Sequence, residues 1–234
     1  MQGPNDNARR PVKARGLAVM HRAAGSLARA GVTPNAVSVA SVVFAAGAGA
    51  LLALTASLYA GSIGERIAFL ASACLIGLRL LANLIDGLIA VEGGKRTPLG
   101  GVFNEFPDRV SDVLVLVGAG YAAGGSPTLG YLAAIVAVLI AYVRELGHGL
   151  GASHHFAGPM AKQQRMTTLI AVSVWLAATP TGWRPENQGA ILGLPAIACV
   201  LIIALGLATM VRRLRRIAHD LRALPTRSPA EDAP

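Results

Sequence analysis

Long apolar blocks run through most of this 234-residue chain, and they narrow the folds it can adopt more than any other feature. A helix needs roughly 20 apolar residues to cross the hydrocarbon core of a bilayer. Six blocks of about that length are present, at 34–59, 64–91, 102–123, 128–150, 165–181 and 189–211. Only 14% of the residues are charged, whereas a soluble domain usually carries about 25%. The sequence therefore predicts an all-α integral membrane protein with six transmembrane helices.

The segment before the first block is polar and basic. Within residues 12–30, Leu17, Met20, Ala24 and Leu27 recur at helical spacing, with arginines between them. This pattern predicts an N-terminal amphipathic helix that lies on the membrane surface and contacts lipid phosphates. A frayed basic tail is the alternative.

Lys and Arg are distributed unequally over the loops. Most of the 21 basic residues lie in the N-terminal segment, the 92–101 and 151–164 loops and the C-terminal tail, which an even number of spans places on one side. Both termini are therefore expected in the cytoplasm, in a multi-pass protein of the cell membrane. The net charge of +9 indicates anionic lipid as a partner rather than nucleic acid. We expect a cytoplasmic basic segment (1–33), a six-helix transmembrane domain (34–211) and a basic cytoplasmic tail (212–234).

Polar side chains interrupt the apolar pattern on either side of the loop between the second and third spans. Asn83 and Asp86 share one face of the second span, and Asn104, Asp108 and Asp112 are spaced by four on the third. A short Gly-rich loop joins the spans, so the two faces should meet near the cytoplasmic helix ends. All-oxygen ligands suit Mg²⁺ or Mn²⁺ rather than zinc, and a carboxylate can also take a proton from an attacking hydroxyl. The residues predict metal-dependent chemistry on a phosphate ester, with solvated or capping side chains as the alternative.

In these residues the chain resembles the CDP-alcohol phosphotransferase family, whose pattern is D-x2-D-G-x2-A-R-x8-G-x3-D-x3-D. The same frame here reads Asn83, Asp86-Gly87, Ala90-Val91, Gly100, Asn104 and Asp108. The segments "GVTPNAVS" at 31–38 and "GPMAKQQRMTT" at 158–168 also look like the family's entry to its first span and its loop between spans four and five. The resemblance therefore covers most of the chain.

The resemblance implies a reaction and a site. Members transfer the substituted phosphate of a CDP-linked lipid, usually CDP-diacylglycerol, to an alcohol and release CMP in phospholipid biosynthesis. One or two divalent ions are implied at the positions of the family aspartates, which are Asn83, Asp86, Asn104 and Asp108. Asp108 also takes the position of the general base. A CDP pocket is implied at Gly87, Ala90 and Gly100, and a homodimer is the expected assembly.

Three positions depart from the family pattern. Asn83 and Asn104 stand where the family has Asp, and Val91 stands where it has Arg. An amide offers a metal an oxygen but no charge, so each exchange lowers the affinity for a divalent ion. Asp112, one turn beyond Asp108, is predicted to restore part of that charge as a further ligand. The alternatives are a catalytically degenerate membrane scaffold of the same fold and an ion-coupled transporter.

Basic residues provide a candidate site for the acceptor alcohol. The candidates are Arg144, Lys162 and Arg165. Arg suits bidentate contacts to phosphate and Lys acts as a point charge, so a phosphorylated acceptor such as inositol phosphate or glycerol phosphate is predicted. A structural ion pair between Arg144 and Glu145 is the alternative. Arg79 and Arg109 are expected to neutralise the nearby carboxylates.

Overall fold

The structure, a computed structural model, describes residues 18–92, 100–153 and 158–223. Throughout these ranges the chain forms helices joined by short turns and contains no strand. The α-helices are α1 (Ala18–Arg29), α2 (Pro34–Leu54), α3 (Ile63–Glu92), α4 (Gly100–Gly120), α5 (Pro127–Gly149), α6 (Lys162–Ala178) and α7 (Leu194–Ala223). Short 3₁₀ turns lie at Thr55–Ser57, Thr181–Trp183 and Pro185–Gln188. The all-α prediction is confirmed.

Four helices within the described ranges are long and apolar enough to cross a membrane. They are Pro34–Ser57, Ile63–Ile89, Pro127–Gly149 and Leu194–Ala223. Helix α4 also lies at a predicted span but carries several charged residues in its first half, and α6 has 17 residues. The structure therefore identifies four candidate spans, and the six-span topology stays a prediction.

Helix α2 packs against both α3 and α4, α3 also contacts α6, and α5 lies between α4 and α7. Glycines allow the closest of these approaches. A Cβ on Gly49 of α2 would collide with the Leu114 carbonyl of α4, and one on Gly118 would collide with the backbone of Gly49. Such backbone contact between small residues is how helices pack tightly in lipid, where apolar surface alone does not drive association.

The N-terminal helix α1 packs against the end of α3 that carries Asp86. Met20, Ala24 and Leu27 of α1 pack in one apolar cluster with Leu88 and Ile89 of α3. The apolar face predicted to enter the membrane is thus at least partly covered by the protein itself. Leu17 and the residues before it lie outside the described ranges, and the position of α1 on the membrane surface stays a prediction.

Candidate functional site

Asp86 lies near the end of α3 and is 4% exposed. Its Oδ2 accepts a hydrogen bond of 2.8 Å from Ser38 Oγ on α2. Its Oδ1 is buried and has no hydrogen-bond partner among the described residues. A buried carboxylate oxygen without a partner is costly, so this atom fits a bound cation.

Asp108 lies on α4 and is surrounded by donors. The Asn83 Nδ2 amide of α3 donates to its Oδ1, and the Lys162 ammonium at the start of α6 donates to its Oδ2. Arg79 Nη2 lies 3.5 Å from Oδ1, and Arg109 Nη2 lies 3.8 Å from Oδ2. The structure thus brings the predicted residues Asn83, Asp108 and Lys162 together, with the two arginines that were expected to neutralise the carboxylates.

Asp86 and Asp108 form the acidic part of the site. Asn83, one turn before Asp86 on α3, contacts Asp108 on α4, so the two carboxylates lie on facing sides of these helices, and Lys162 contacts Asp108. Within the described ranges no group of three Asp, Glu, His or Cys side chains converges to hold a metal ion. A divalent cation here would need these two carboxylates together with amide oxygens, and Asn83 can supply one by rotating its amide. The side chain of Asn104 lies outside the described ones.

Asp112, one turn further along α4, has two arginine partners. Arg79 Nη2 of α3 donates to its Oδ1 at 2.7 Å, and Arg165 Nη2 of α6 donates to its Oδ2 at 2.6 Å. All three side chains are at most 1% exposed. These are the contacts of a counter-ion, where the sequence predicted a metal ligand. The ligand role of Asp112 stays a prediction.

The three candidate acceptor residues differ in their surroundings. Arg144 forms ion pairs with Glu105 Oε2 at 2.6 Å and with Glu145 Oε1 at 2.7 Å, so the alternative of a structural pair with Glu145 is present in the structure. Arg165 is buried against Asp112, whereas the side chain of Lys162 is 24% exposed. Of the three, Lys162 combines exposure with a contact to Asp108.

The predicted CDP pocket can be placed only in part. Gly87 follows Asp86 on α3, Ala90 lies in the last turn of that helix, and Gly100 begins α4. The side chain of Ala90 and residues 93–99 lie outside the described part of the chain. The pocket that these residues are expected to line therefore stays a prediction.

Ser38 is the site residue that sequence reasoning missed. It lies at the end of the "GVTPNAVS" segment, is 4% exposed and is the hydroxyl partner of Asp86. The segment forms the start of α2, where Thr33 Oγ1 accepts from Ala36 N at 3.2 Å and Pro34 occupies the first turn. A serine one turn into an apolar helix was a weak signal, because such a hydroxyl can also bond within its own helix, and Ser38 Oγ lies 3.2 Å from the Pro34 carbonyl.

Two curated proteins are similar to the chain in sequence. It is 30% identical over 202 residues to archaetidylinositol phosphate synthase from Aeropyrum pernix, covering 85% of this chain and 90% of that protein. It is 26% identical over 134 residues to the inner membrane protein YnbA from Escherichia coli, covering 57% of this chain and 63% of that protein. No family model matches the chain.

The fold is similar to that of solved structures. The crystal structure of Mycobacterium tuberculosis phosphatidylinositol phosphate synthase with CDP-DAG bound has a TM-score of 0.69 at 20% identity, covering 91% of this chain and all of that one. The structure of the same enzyme in complex with manganese and citrate has a TM-score of 0.70 at 19% identity, covering 89% and 93% of the two chains. At these identities the likeness shows a shared fold.

Proposed function

The chain belongs to the CDP-alcohol phosphotransferase family and is a membrane transferase of phospholipid biosynthesis; from this premise we propose the chemistry of its site. We propose that it transfers the substituted phosphate of a CDP-linked lipid, such as CDP-diacylglycerol, to an alcohol and releases CMP in a metal-dependent reaction. The observation that carries the proposal is the buried Oδ1 of Asp86, which has no hydrogen-bond partner in the described part of the chain and lies one turn after Asn83, the residue that contacts Asp108 on the facing helix.

The proposed metal ligands are Asp86 and Asp108, with Asn83 and Asn104 as neutral oxygen ligands to one or two Mg²⁺ or Mn²⁺ ions. The unpartnered Oδ1 of Asp86 supports this set, because a cation would satisfy it. A bound divalent ion would supply charge neutralisation for the diphosphate and for the leaving CMP. Manganese is present in the related M. tuberculosis enzyme.

Asp108 is the proposed general base. Its carboxylate would take the proton of the acceptor hydroxyl as the oxygen attacks the lipid-bearing phosphorus and the bond to CMP breaks. Lys162 contacts one of the carboxylate oxygens in the structure, and this contact supports a fixed orientation of the base. The Lys162 ammonium would also stabilise negative charge on the acceptor.

A phosphorylated acceptor fits the basic residues beside Asp108. We propose that Lys162 and Arg144 contact its phosphate, with Arg165 behind Lys162. Inositol phosphate is the first candidate because the relative from A. pernix is an archaetidylinositol phosphate synthase, and glycerol phosphate is the second. The CDP moiety would lie at Gly87, Ala90 and Gly100.

The proposed setting is a cell-membrane protein with six spans in residues 34–211. Residues 1–33, residues 212–234 and the active site face the cytoplasm. The ends of α3 and α5 and the starts of α4 and α6 meet through the contacts of Asp108 and Arg144, and this supports a single site at one membrane face. The small residues of the helices would permit a homodimer.

Release of CMP by the purified protein in lipid tests the proposal. CDP-diacylglycerol is incubated with Mg²⁺ or Mn²⁺ and, in turn, with inositol phosphate, glycerol 3-phosphate, inositol, serine and phosphatidylglycerol. We expect release that depends on one acceptor, stops with chelator and is lost in Asp108→Asn. Binding of CDP-diacylglycerol without release for any acceptor would favour the degenerate scaffold. Absence of binding, with ion-dependent flux into proteoliposomes, would favour a transporter.

A further inference from the structure

Three fully buried charges connect α3, α4 and α6 beside the proposed site. The carboxylate of Asp112 lies between the guanidinium groups of Arg79 and Arg165, at 2.7 and 2.6 Å. The side chains are 0%, 1% and 1% exposed for Arg79, Asp112 and Arg165. Removing one member of such a buried group leaves the others uncompensated, so the three side chains hold one another in a fixed arrangement.

Each arginine also holds a second group that belongs to the site. Arg79 Nη2 donates to the main-chain carbonyl of Asp108 at 3.2 Å and lies 3.5 Å from its carboxylate. Arg165 Nη1 donates to the carbonyl of Met160 at 3.1 Å, two residues before Lys162. Lys162 in turn contacts the carboxylate of Asp108. The Asp112 carboxylate thus contacts two arginines. Arg79 also contacts Asp108, and Arg165 also contacts the turn that precedes Lys162.

We propose that Asp112 is a positioning residue, which through Arg79 and Arg165 fixes Asp108 and Lys162 relative to each other. This inference rests on the proposed function, in which these two side chains act on the acceptor. It assigns to Asp112 a role other than metal ligation. Both of its oxygens already accept from guanidinium groups, and two adjacent cations repel a divalent ion.

A comparison of metal affinity with turnover separates the two roles of Asp112. Binding of Mn²⁺ to the full-length protein in lipid nanodiscs is measured by electron paramagnetic resonance, without substrate, for wild type, Asp112→Asn and Asp86→Asn. We expect Asp86→Asn to weaken Mn²⁺ binding at least about tenfold and Asp112→Asn to change it by less than about threefold. CMP release by Asp112→Asn should lose on the order of 100-fold in kcat with little change in the KM for CDP-lipid. A loss of Mn²⁺ affinity in Asp112→Asn as large as that in Asp86→Asn would overturn the proposal.

A double-mutant cycle tests whether Asp112 positions Lys162 through Arg165. If Asp112 acts through Arg165, the variant Asp112→Asn/Arg165→Gln should have nearly the kcat of Asp112→Asn alone, because the second change breaks a connection already lost. Independent roles would make the two losses multiply, and that result would contradict the proposal.

Conservative variants keep the test decisive if Asp112→Asn does not fold. Both Arg79→Lys and Arg165→Lys keep the buried charge. Arg165→Lys loses the fork with which Nη1 contacts Met160 and Nη2 contacts Asp112, and Arg79→Lys loses the Nη2 that contacts both Asp112 and Asp108. Each should lower kcat about tenfold, with Mn²⁺ affinity unchanged. The matched control is Arg184→Lys, a buried arginine paired with Glu65 at the far end of α3, which should keep the wild-type kcat. Wild-type kcat in both Arg79→Lys and Arg165→Lys would overturn the proposal.

The wild-type protein distinguishes this inference from the proposed function. Wild-type CMP release with normal kcat in the positioning variants would contradict the inference alone. Absence of CMP release from wild type with every acceptor would overturn the proposed function, and the inference with it.

Discussion

The two ends of α3 carry buried carboxylates in opposite states. Glu65, near the start of the helix, is fully buried, and both of its oxygens are satisfied. Its Oε1 accepts from Arg184 Nη1 at 2.8 Å, and its Oε2 accepts from Arg184 Nη2 at 2.7 Å and from Gly61 N at 2.6 Å. The hydrogen bonds that Arg184 donates to the Glu65 carboxylate raise the pKa of the Arg184 guanidinium above its ordinary value.

Asp86 lies 21 residues further along the same helix, or about 30 Å at 1.5 Å per residue. Among the described residues, one of its oxygens has a hydrogen-bond partner, the hydroxyl of Ser38, and the other has none. The comparison teaches that a buried charge is not in itself a sign of function. A closed pair such as Glu65–Arg184 holds the bundle together, whereas an incomplete pairing leaves an atom for a ligand.

Asp86→Asn should have the largest effect on activity of the substitutions at the two ends of α3. We expect CMP release to fall on the order of 1000-fold, because the variant loses a charged metal ligand. In chelator, however, the variant should unfold at a higher temperature than wild type, with about 1 kcal/mol more stability, since an incompletely paired buried charge has been removed. The assay of CMP release and thermal unfolding in detergent check the two parts. A variant that lost stability and kept activity would show that Asp86 is a structural residue.

Glu65→Gln should have the converse effect. The substitution leaves Arg184 buried without its counter-ion, and we expect a loss of about 3 kcal/mol in the free energy of unfolding. The kcat for CMP release of the folded fraction should match that of wild type, because Glu65 lies far from the site.

The matched control for Glu65→Gln is Glu145→Gln. The side chain of Glu145 is 49% exposed, and it pairs with Arg144 on the protein surface. Loss of an exposed ion pair costs less than about 1 kcal/mol, so this variant should unfold close to wild type. Equal unfolding temperatures for the two variants would contradict a larger contribution of the buried pair to stability.

The helices were largely predictable because the signals are local. The apolar blocks at 64–91 and 128–150 correspond to α3 (Ile63–Glu92) and α5 (Pro127–Gly149), since Gly, Pro and polar residues bound each block. The last predicted span ends at 211, and the helix at that position extends beyond it. Helix α7 continues to Ala223 because Ile217 and Leu221 in its basic part pack against α5, which an apolar window does not detect.

The site was predictable as far as two neighbouring helices determine it. The sequence spacing predicted that Asn83 and Asp108 lie on facing sides of α3 and α4, and in the structure the Asn83 amide donates to the Asp108 carboxylate. The hydrogen-bond partner of each carboxylate oxygen depends on helices outside this pair. Asp86 finds Ser38 at 48 residues' separation, and the partner of Asp112 on α6 is 53 residues away. Periodicity within one helix carries no information on such pairings, so Asp112 was expected beside a metal and was found between arginines.

Ser38→Ala should weaken metal binding at Asp86. The hydroxyl holds Oδ2 of Asp86, and without it the carboxylate can rotate and present its oxygens less favourably to a cation. A hydrogen bond to a charged group contributes about 1.5–3 kcal/mol, so we expect the half-saturating Mn²⁺ concentration to rise about tenfold. Ser41→Ala is the control, because its hydroxyl donates to the Ser38 carbonyl within α2. Equal Mn²⁺ requirements in both variants would show that Ser38 does not orient Asp86.

Asn83→Asp should produce the smallest change of these variants. It should strengthen Mn²⁺ binding, but lower the stability of the protein without metal. A carboxylate at this position adds charge beside Asp108, whose Oδ1 now accepts from the amide of Asn83. With Mn²⁺ present, binding should tighten about threefold to tenfold; in chelator, repulsion between the carboxylates should lower the unfolding temperature. Asn187→Asp adds the same charge in an exposed turn away from the site; it loses the hydrogen bond to the Thr181 carbonyl, but should leave Mn²⁺ binding unchanged. Weaker Mn²⁺ binding in Asn83→Asp would contradict a ligand role for position 83, because negative charge added to a ligand should attract the cation more strongly.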